Sequence, residues 1–279
     1  MFLGDSFIMG PEINKEDCVS EQVERADSML DCYNFGITGY GTDQELLVLE
    51  KFGSVVKPEY VLLFFCINDF FTNHRDWAHD MSKPFFELHP DGFLELKNVP
   101  VPRRSFSDSL IRWFKNRLAL GQLAQKAAFP ILHRDLIKPA SPQLERKRIP
   151  NPEMADSLSL AYTTVSPDSL TQRLLLEISD RCQNLQAQLI VFLIPSSREW
   201  TVSHRDTPER MREVGSWCSQ EGVACIDLFP DFYDDYARYG QNLFIHDRCH
   251  WNARGGAIAA GEVLKAIKRK SHEKSSLDH

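Results

Sequence analysis

Five short apolar runs punctuate the chain, at residues 1–3, 29–33, 60–66, 188–194 and 223–228. In YVLLFFC and QLIVFLI the apolar residues are nearly continuous. A strand with one wet face alternates between apolar and polar, so continuous apolarity predicts strands of a parallel sheet covered on both faces. Helical patterns lie between the runs. Thr42-Asp43-Gln44-Glu45 reads as a capping box ahead of LLVLEKF. Ser166-Pro167 opens a helix to about residue 184, with proline at the first helical position. Thr207-Pro208-Glu209 opens another, to about residue 220, and Asn252 caps a last one to about residue 267 with a basic tail. Strands that alternate with helices predict an α/β sandwich around a parallel sheet of about five strands with right-handed crossovers.

Residues 70–162 break this rhythm, because the stretch is too long for one crossover loop. It holds nine prolines and one amphipathic pattern at 106–129, with Leu110, Trp113, Phe114 and Leu118 at helical spacing. The reading is a single domain over 1–279, carrying 70–162 as a helical or irregular insertion after the third strand. The insertion is rich in aromatics, among them Phe70, Phe71, Trp77, Phe85 and Phe86. These either wall a pocket as a cap or form a satellite core.

A chain of 279 residues can bury a substantial core, and 43% apolar with 25% charged residues is ordinary globular composition. The net charge of −7 gives no footprint for nucleic acid. Charge is unevenly spread: residues 101–150 carry eleven Lys/Arg against three acids, so that segment is +8 and the remainder −15. The basic face of such an insertion is either a solvated surface or a contact for an anionic membrane surface or polymer. Seven scattered cysteines without a CxxC pair indicate neither a zinc ribbon nor a redox motif. No signal peptide or transmembrane run is seen. The first run has only three residues before Gly4. A central strand usually has five or six. The expectation is that the natural polypeptide begins further upstream, which leaves export or anchoring, and so the compartment, open. The oligomeric state is equally open.

Gly4-Asp5-Ser6 follows the first run. Glycine permits a sharp turn. The serine then stands at the carboxyl end of a strand, where ligands bind in open α/β sheets, with its N–H at a helix start suited to anions. Alone, the tripeptide is equally ordinary helix-cap chemistry. Asp247-x-x-His250 lies between the last strand and the last helix. At that spacing a carboxylate can orient an imidazole, whose other nitrogen can take a serine proton. Candidate oxyanion donors are the N–H of Gly39, in the loop 34–41, and the amide of Asn68, at the end of the third run, although each segment alone is equally ordinary turn chemistry. Each of these four segments follows a predicted strand end.

Together they resemble the SGNH (GDSL) hydrolase superfamily. The matching blocks are Leu3-Gly4-Asp5-Ser6-Phe7, Asn34 to Gly41, Asn68-Asp69 and Asp247-x-x-His250-Trp251-Asn252-x-x-Gly255. They span most of the chain in the family's order. Cys66 departs from the pattern, standing where the third block usually has glycine, and a slightly altered approach to Asn68 is expected. The resemblance implies a three-layer, flavodoxin-like α/β/α fold and ester hydrolysis without cofactor or metal. It implies Ser6, Asp247 and His250 as catalytic residues and Ser6, Gly39 and Asn68 as the oxyanion hole. The substrate expected is a small-molecule or carbohydrate acyl ester. O-acyl transfer to a glycan by the same residues, or glycan binding or assembly with an envelope complex by an inactive member, are the alternatives. His246, Asp247, Cys249 and His250 are poor metal ligands as a set, since Cys249 and His250 are adjacent and point apart.

Overall fold

The computed structural model describes residues 1–79, 81–102, 169–196, 206–245 and 249–277, with side chains to residue 271. The chain divides into two compact units, Met1–Val99 with Tyr162–His279, and Pro100–Ala161. Of the second unit only residues 100–102 are among those described, and the helix expected at 106–129 lies outside them.

The first unit is built on a four-stranded parallel sheet of β1 (Phe2–Leu3), β2 (Tyr60–Phe65), β7 (Gln188–Leu193) and β8 (Ala224–Asp227), in that spatial order. Phe2 pairs with Leu62, Tyr60 with Gln188 and Ile190 with Ala224. All six residues of β2 are buried. Strand alternation therefore divides one apolar run between two cores. Val61, Leu63 and Phe65 pack with Val191 and Leu193 on one face. Leu62, Phe64 and Cys66 pack with Phe2, Ile190 and Phe192 on the other. The Phe64 ring lies 6.0 Å from Phe2 and 4.9 Å from Phe192, nearly parallel to both, so three strands share one aromatic row.

Helices cover both faces. α3 (Thr42–Val56), α5 (Ser169–Asn184) and α6 (Glu209–Gln220) bring Leu46, Leu49, Leu174, Ile178, Met211 and Val214 to the first core. On the second face are α1 (Ser6–Met9), α2 (Val19–Ala26), α7 (Phe229–Tyr239) and α8 (Ala253–Leu277). They contribute Ile8, Val23, Phe232, Val263 and Ala266. The result is the expected three-layer α/β/α arrangement. None of the described helices is long and apolar enough to cross a membrane.

Three local expectations need correction. The run 29–33 forms no strand of its own; the chain touches the sheet just beyond it, where Asn34 bridges Phe2 in parallel. Phe2 N–H donates to Tyr33 O at 2.8 Å and Phe35 N–H to Phe2 O at 2.9 Å. The run sits at the sheet edge with Met29 89% exposed, so only one bridge's worth of it finds a partner. The capping box at Thr42 also fails. Gly41 takes the cap position, its carbonyl accepting from Gln44 and Glu45, and Asp43, Gln44 and Glu45 turn inward. The last helix runs about ten residues past 267, because the charged stretch that follows is itself good helix-forming sequence.

After β2 and the single turn α4 (Asp69–Thr72) come two hairpins. One pairs β3 (Trp77–Ala78) with β4 (Met81–Ser82), the other β5 (Phe85–Leu88) with β6 (Leu94–Lys97). Phe86 is part of the first core, with Leu88 and Leu94 packed against it, so residues 85–97 extend the main core.

Candidate active site

The turn that carries Ser6 is shaped by close approach. A Cβ at Gly4 would sit 2.6 Å from Ile8 Cγ1, so only glycine lets α1 fold back this tightly. Asp5 caps the turn, Oδ1 accepting from Phe7 N–H at 2.9 Å. Gly10, with φ 65°, ends it by donating to Ser6 O at 3.0 Å. The helix has only four residues, so it offers individual N–H groups and not the macrodipole expected of a longer helix.

Ser6 is 8% exposed, and its Oγ lies 2.6 Å from His250 Nε2. Residues 244 apart in the chain thus meet at a hydrogen bond. His250 is held from several sides. Its carbonyl accepts from Ile245 N–H at 2.9 Å, and the Phe7 ring lies 4.9 Å from the imidazole. Phe7 also meets Trp251 edge-on at 5.1 Å, and Trp251 Nε1 donates to Pro195 O at 2.7 Å just past β7. Asn252 Oδ1 accepts from Arg254 and Gly255 N–H, starting α8 as expected. Asp247, with His246 and Arg248, lies outside the described residues.

Asn68 follows β2 and reaches the Ser6 turn through Asp5: its Nδ2 donates to Asp5 Oδ2 at 3.1 Å. An amide nitrogen carries two hydrogens, so this bond fixes the amide plane and uses only one of them. Cys66 is buried and its N–H donates to Asp69 Oδ2 at 3.0 Å, so the Asp69 carboxyl closes the turn after β2. Burial drives the Asp5 carboxyl above its usual range, against the Phe7 N–H, the Asn68 amide and the His250 ring, which favour the ionised form.

Gly39 has φ 80°, a left-handed conformation natural to glycine. Its loop is tied to the Ser6 turn. Ile37 N–H donates to Gly4 O at 3.1 Å and Asn34 Nδ2 to Ile8 O at 2.7 Å. At Gly36 a Cβ would fall 2.4 Å from Met9 N, so the two backbones are in contact there. Segments bearing Ser6, Gly39, Asn68 and His250 are therefore joined, directly or through Asp5 and Gly4, at the carboxyl ends of β1 and β2.

Beneath this corner lies a buried polar group that no sequence motif announces. Lys83 Nζ pairs with Asp43 Oδ2, both essentially inaccessible. Asp43 N–H donates to Asn73 Oδ1 at 3.2 Å, and Asn73 Nδ2 to Thr171 Oγ1 at 3.2 Å. Burial pushes Asp43 up to about 6 and Lys83 down, so for both members desolvation outweighs their attraction. Glu45 and Asp69 are also buried, and burial together with the neighbouring carboxyls drives both well above the usual carboxylate range. The sequence reads Asp43 and Glu45 as helix-capping residues and Asp69 as part of the Asn68-Asp69 block, and neither reading signals burial, while a lone lysine at 83 carries no periodic signal at all. Among the described residues no group of three or more His, Cys, Asp or Glu is arranged to hold a metal ion.

No protein-family model and no curated protein matches the chain. Solved structures do resemble it. A lipolytic protein of the G-D-S-L family from Veillonella parvula is 12% identical, covering 96% of this chain and 97% of its own, with a TM-score of 0.48. An acetyl xylan esterase, AlAXEase, is 12% identical over 95% of this chain and 98% of its own, also at 0.48. TesA is 13% identical over 96% and 97%, at 0.48.

Proposed function

We propose that the protein is a serine ester hydrolase of the SGNH kind, cleaving a small-molecule or carbohydrate-borne acyl ester. The observation that carries this is the 2.6 Å contact between Ser6 Oγ and His250 Nε2 at the carboxyl edge of a parallel sheet. A serine hydroxyl is a weak nucleophile until a positioned base takes its proton.

In the proposed reaction Ser6 Oγ attacks the ester carbonyl carbon while His250 Nε2 accepts the hydroxyl proton. The carbonyl oxygen becomes an oxyanion, held by the N–H groups of Ser6 and Gly39 and by the second amide hydrogen of Asn68. Asp5 serves this step by holding the Asn68 amide in plane. Collapse of the intermediate breaks the bond to the alcohol oxygen, which leaves with the proton from His250. Water then attacks the acyl-Ser6 ester, giving its proton to His250, and the acid departs as Ser6 recovers its proton. Asp247 is assigned the orientation of His250.

Purified protein is tested on chromogenic esters and with a fluorophosphonate probe. Labelling at Ser6 and loss of turnover in Ser6→Ala are expected. Turnover that survives Ser6→Ala overturns the reading.

A further inference from the structure

The hairpin β3–β4 brings a second histidine to the site. A Cβ built on Gly39 would fall 2.3 Å from His79 Cδ2 and 2.7 Å from His79 Nε2, with Ala78 Cβ next at 3.6 Å. The imidazole thus occupies the space that a side chain at residue 39 would fill. Its other side is open, since His79 is exposed. Neither its ring nor its position has a part in the reaction described above.

Two features make this placement specific. His79 has φ 46°, the left-handed backbone that a two-residue hairpin connection requires, so the turn itself fixes the direction in which the side chain leaves. The hairpin is also anchored at its base. Lys83 N–H donates to Asp76 O at 2.8 Å and Asn98 Nδ2 to Lys83 O at 2.6 Å. Lys83 Nζ pairs with Asp43, on the second residue of the helix that follows the Gly39 loop. Hairpin and loop therefore share one buried ion pair, which sets the ring against residue 39.

We infer that His79 is a specificity-determining residue: its ring limits the size of the ester substituent lying on the Gly39 side of the reacting carbon. This rests on the reading of Gly39 as an oxyanion donor. An ester whose carbonyl oxygen sits at the Gly39 N–H directs a substituent past residue 39, where the imidazole forms the wall. Removing the ring opens space for bulkier esters.

The test compares wild type with His79→Gly and His79→Asn. Both replacements accept left-handed backbone and keep the turn. One substrate series varies the acyl chain from acetate to hexanoate on a constant phenol. The other keeps acetate and enlarges the alcohol. Ser6 labelling counts active sites. The expected result is a rise of about tenfold in the bulky-to-small ratio of kcat/KM in one series, the scale of a few methylenes in a pocket. The series that moves identifies the substituent facing residue 79. That ratio does not depend on the folded fraction, so a purely structural role leaves it unchanged. Unchanged ratios in both series, or a uniform loss, overturn the inference while Ser6-dependent turnover stands. A wild type that neither labels nor turns over esters overturns this inference and the proposed function together.

Discussion

Two polar corners lie at the same edge of the sheet and are built on opposite terms. At Ser6 and His250 the groups are small or aromatic, partly reachable, and joined by a single hydrogen bond between the chain's two ends. At Asp43 and Lys83 two full charges are shut away from solvent and tied to Asn73 and Thr171. The first arrangement sets a hydroxyl against an imidazole with little invested in stability. The second holds α3, α4, α5 and the hairpins in register at a desolvation cost that the pair does not recover. Chemistry needs reach and mobility of a proton, whereas anchoring needs burial, and the same sheet edge supplies both because loops from different strands converge there.

The largest effect is expected at Ser6 and His250. Ser6→Ala and His250→Ala should each lower kcat by at least about 10³-fold, and the double variant should lose little more, because such residues act as a unit. Urea denaturation of either variant should stay within about 1 kcal/mol of wild type. A large stability loss would show that the first corner is also an anchor.

The opposite pattern is expected at the ion pair. Lys83→Met leaves Asp43 buried without its cation and should cost about 3–5 kcal/mol in urea denaturation. The double variant Lys83→Met/Asp43→Leu should recover most of that. Turnover per labelled Ser6 should remain within about threefold in the folded double variant if the pair acts only as an anchor.

Asn68 stands between the two corners. Asn68→Ala should reduce kcat by about 10²-fold with little change in KM, since an oxyanion donor acts in the transition state. A loss confined to KM would assign the amide to substrate binding.

The smallest effect concerns pH. Asp43, Glu45 and Asp69 hold protons more tightly when folded than when unfolded. The unfolded chain releases those protons as pH rises through the ordinary carboxylate range, so their favourable contribution is complete below that range and is lost as pH climbs through the folded values. Urea midpoints should therefore fall between pH 5 and pH 8. Glu45→Gln, which cannot ionise, should flatten the profile and add about 1 kcal/mol at pH 8. An unchanged slope would place the folded-state proton elsewhere in the cluster.

Much of this was legible in one dimension. YVLLFFC reads as a strand buried on both faces, and its side chains do divide between two cores. Gly4-Asp5-Ser6 and His250 stood out because turn and proton-transfer chemistry demand particular residue types. The run 29–33 was misread because apolarity signals burial but not whether a partner strand is within reach. Thr42 to Glu45 was misread because a capping box and an acid turned inward have the same letters.

The sequence by itself determined the layered fold and singled out Ser6 and His250 as candidates, since periodicity and residue chemistry are local properties. Only the tertiary structure decided that Asp5 holds Asn68, that Lys83 is buried against Asp43, and that His79 lies over Gly39. Those pairings join residues 63, 40 and 40 positions apart, and no local pattern encodes them. They arise from the convergence of loops after the sheet has formed, when burial turns scattered polar side chains into partners.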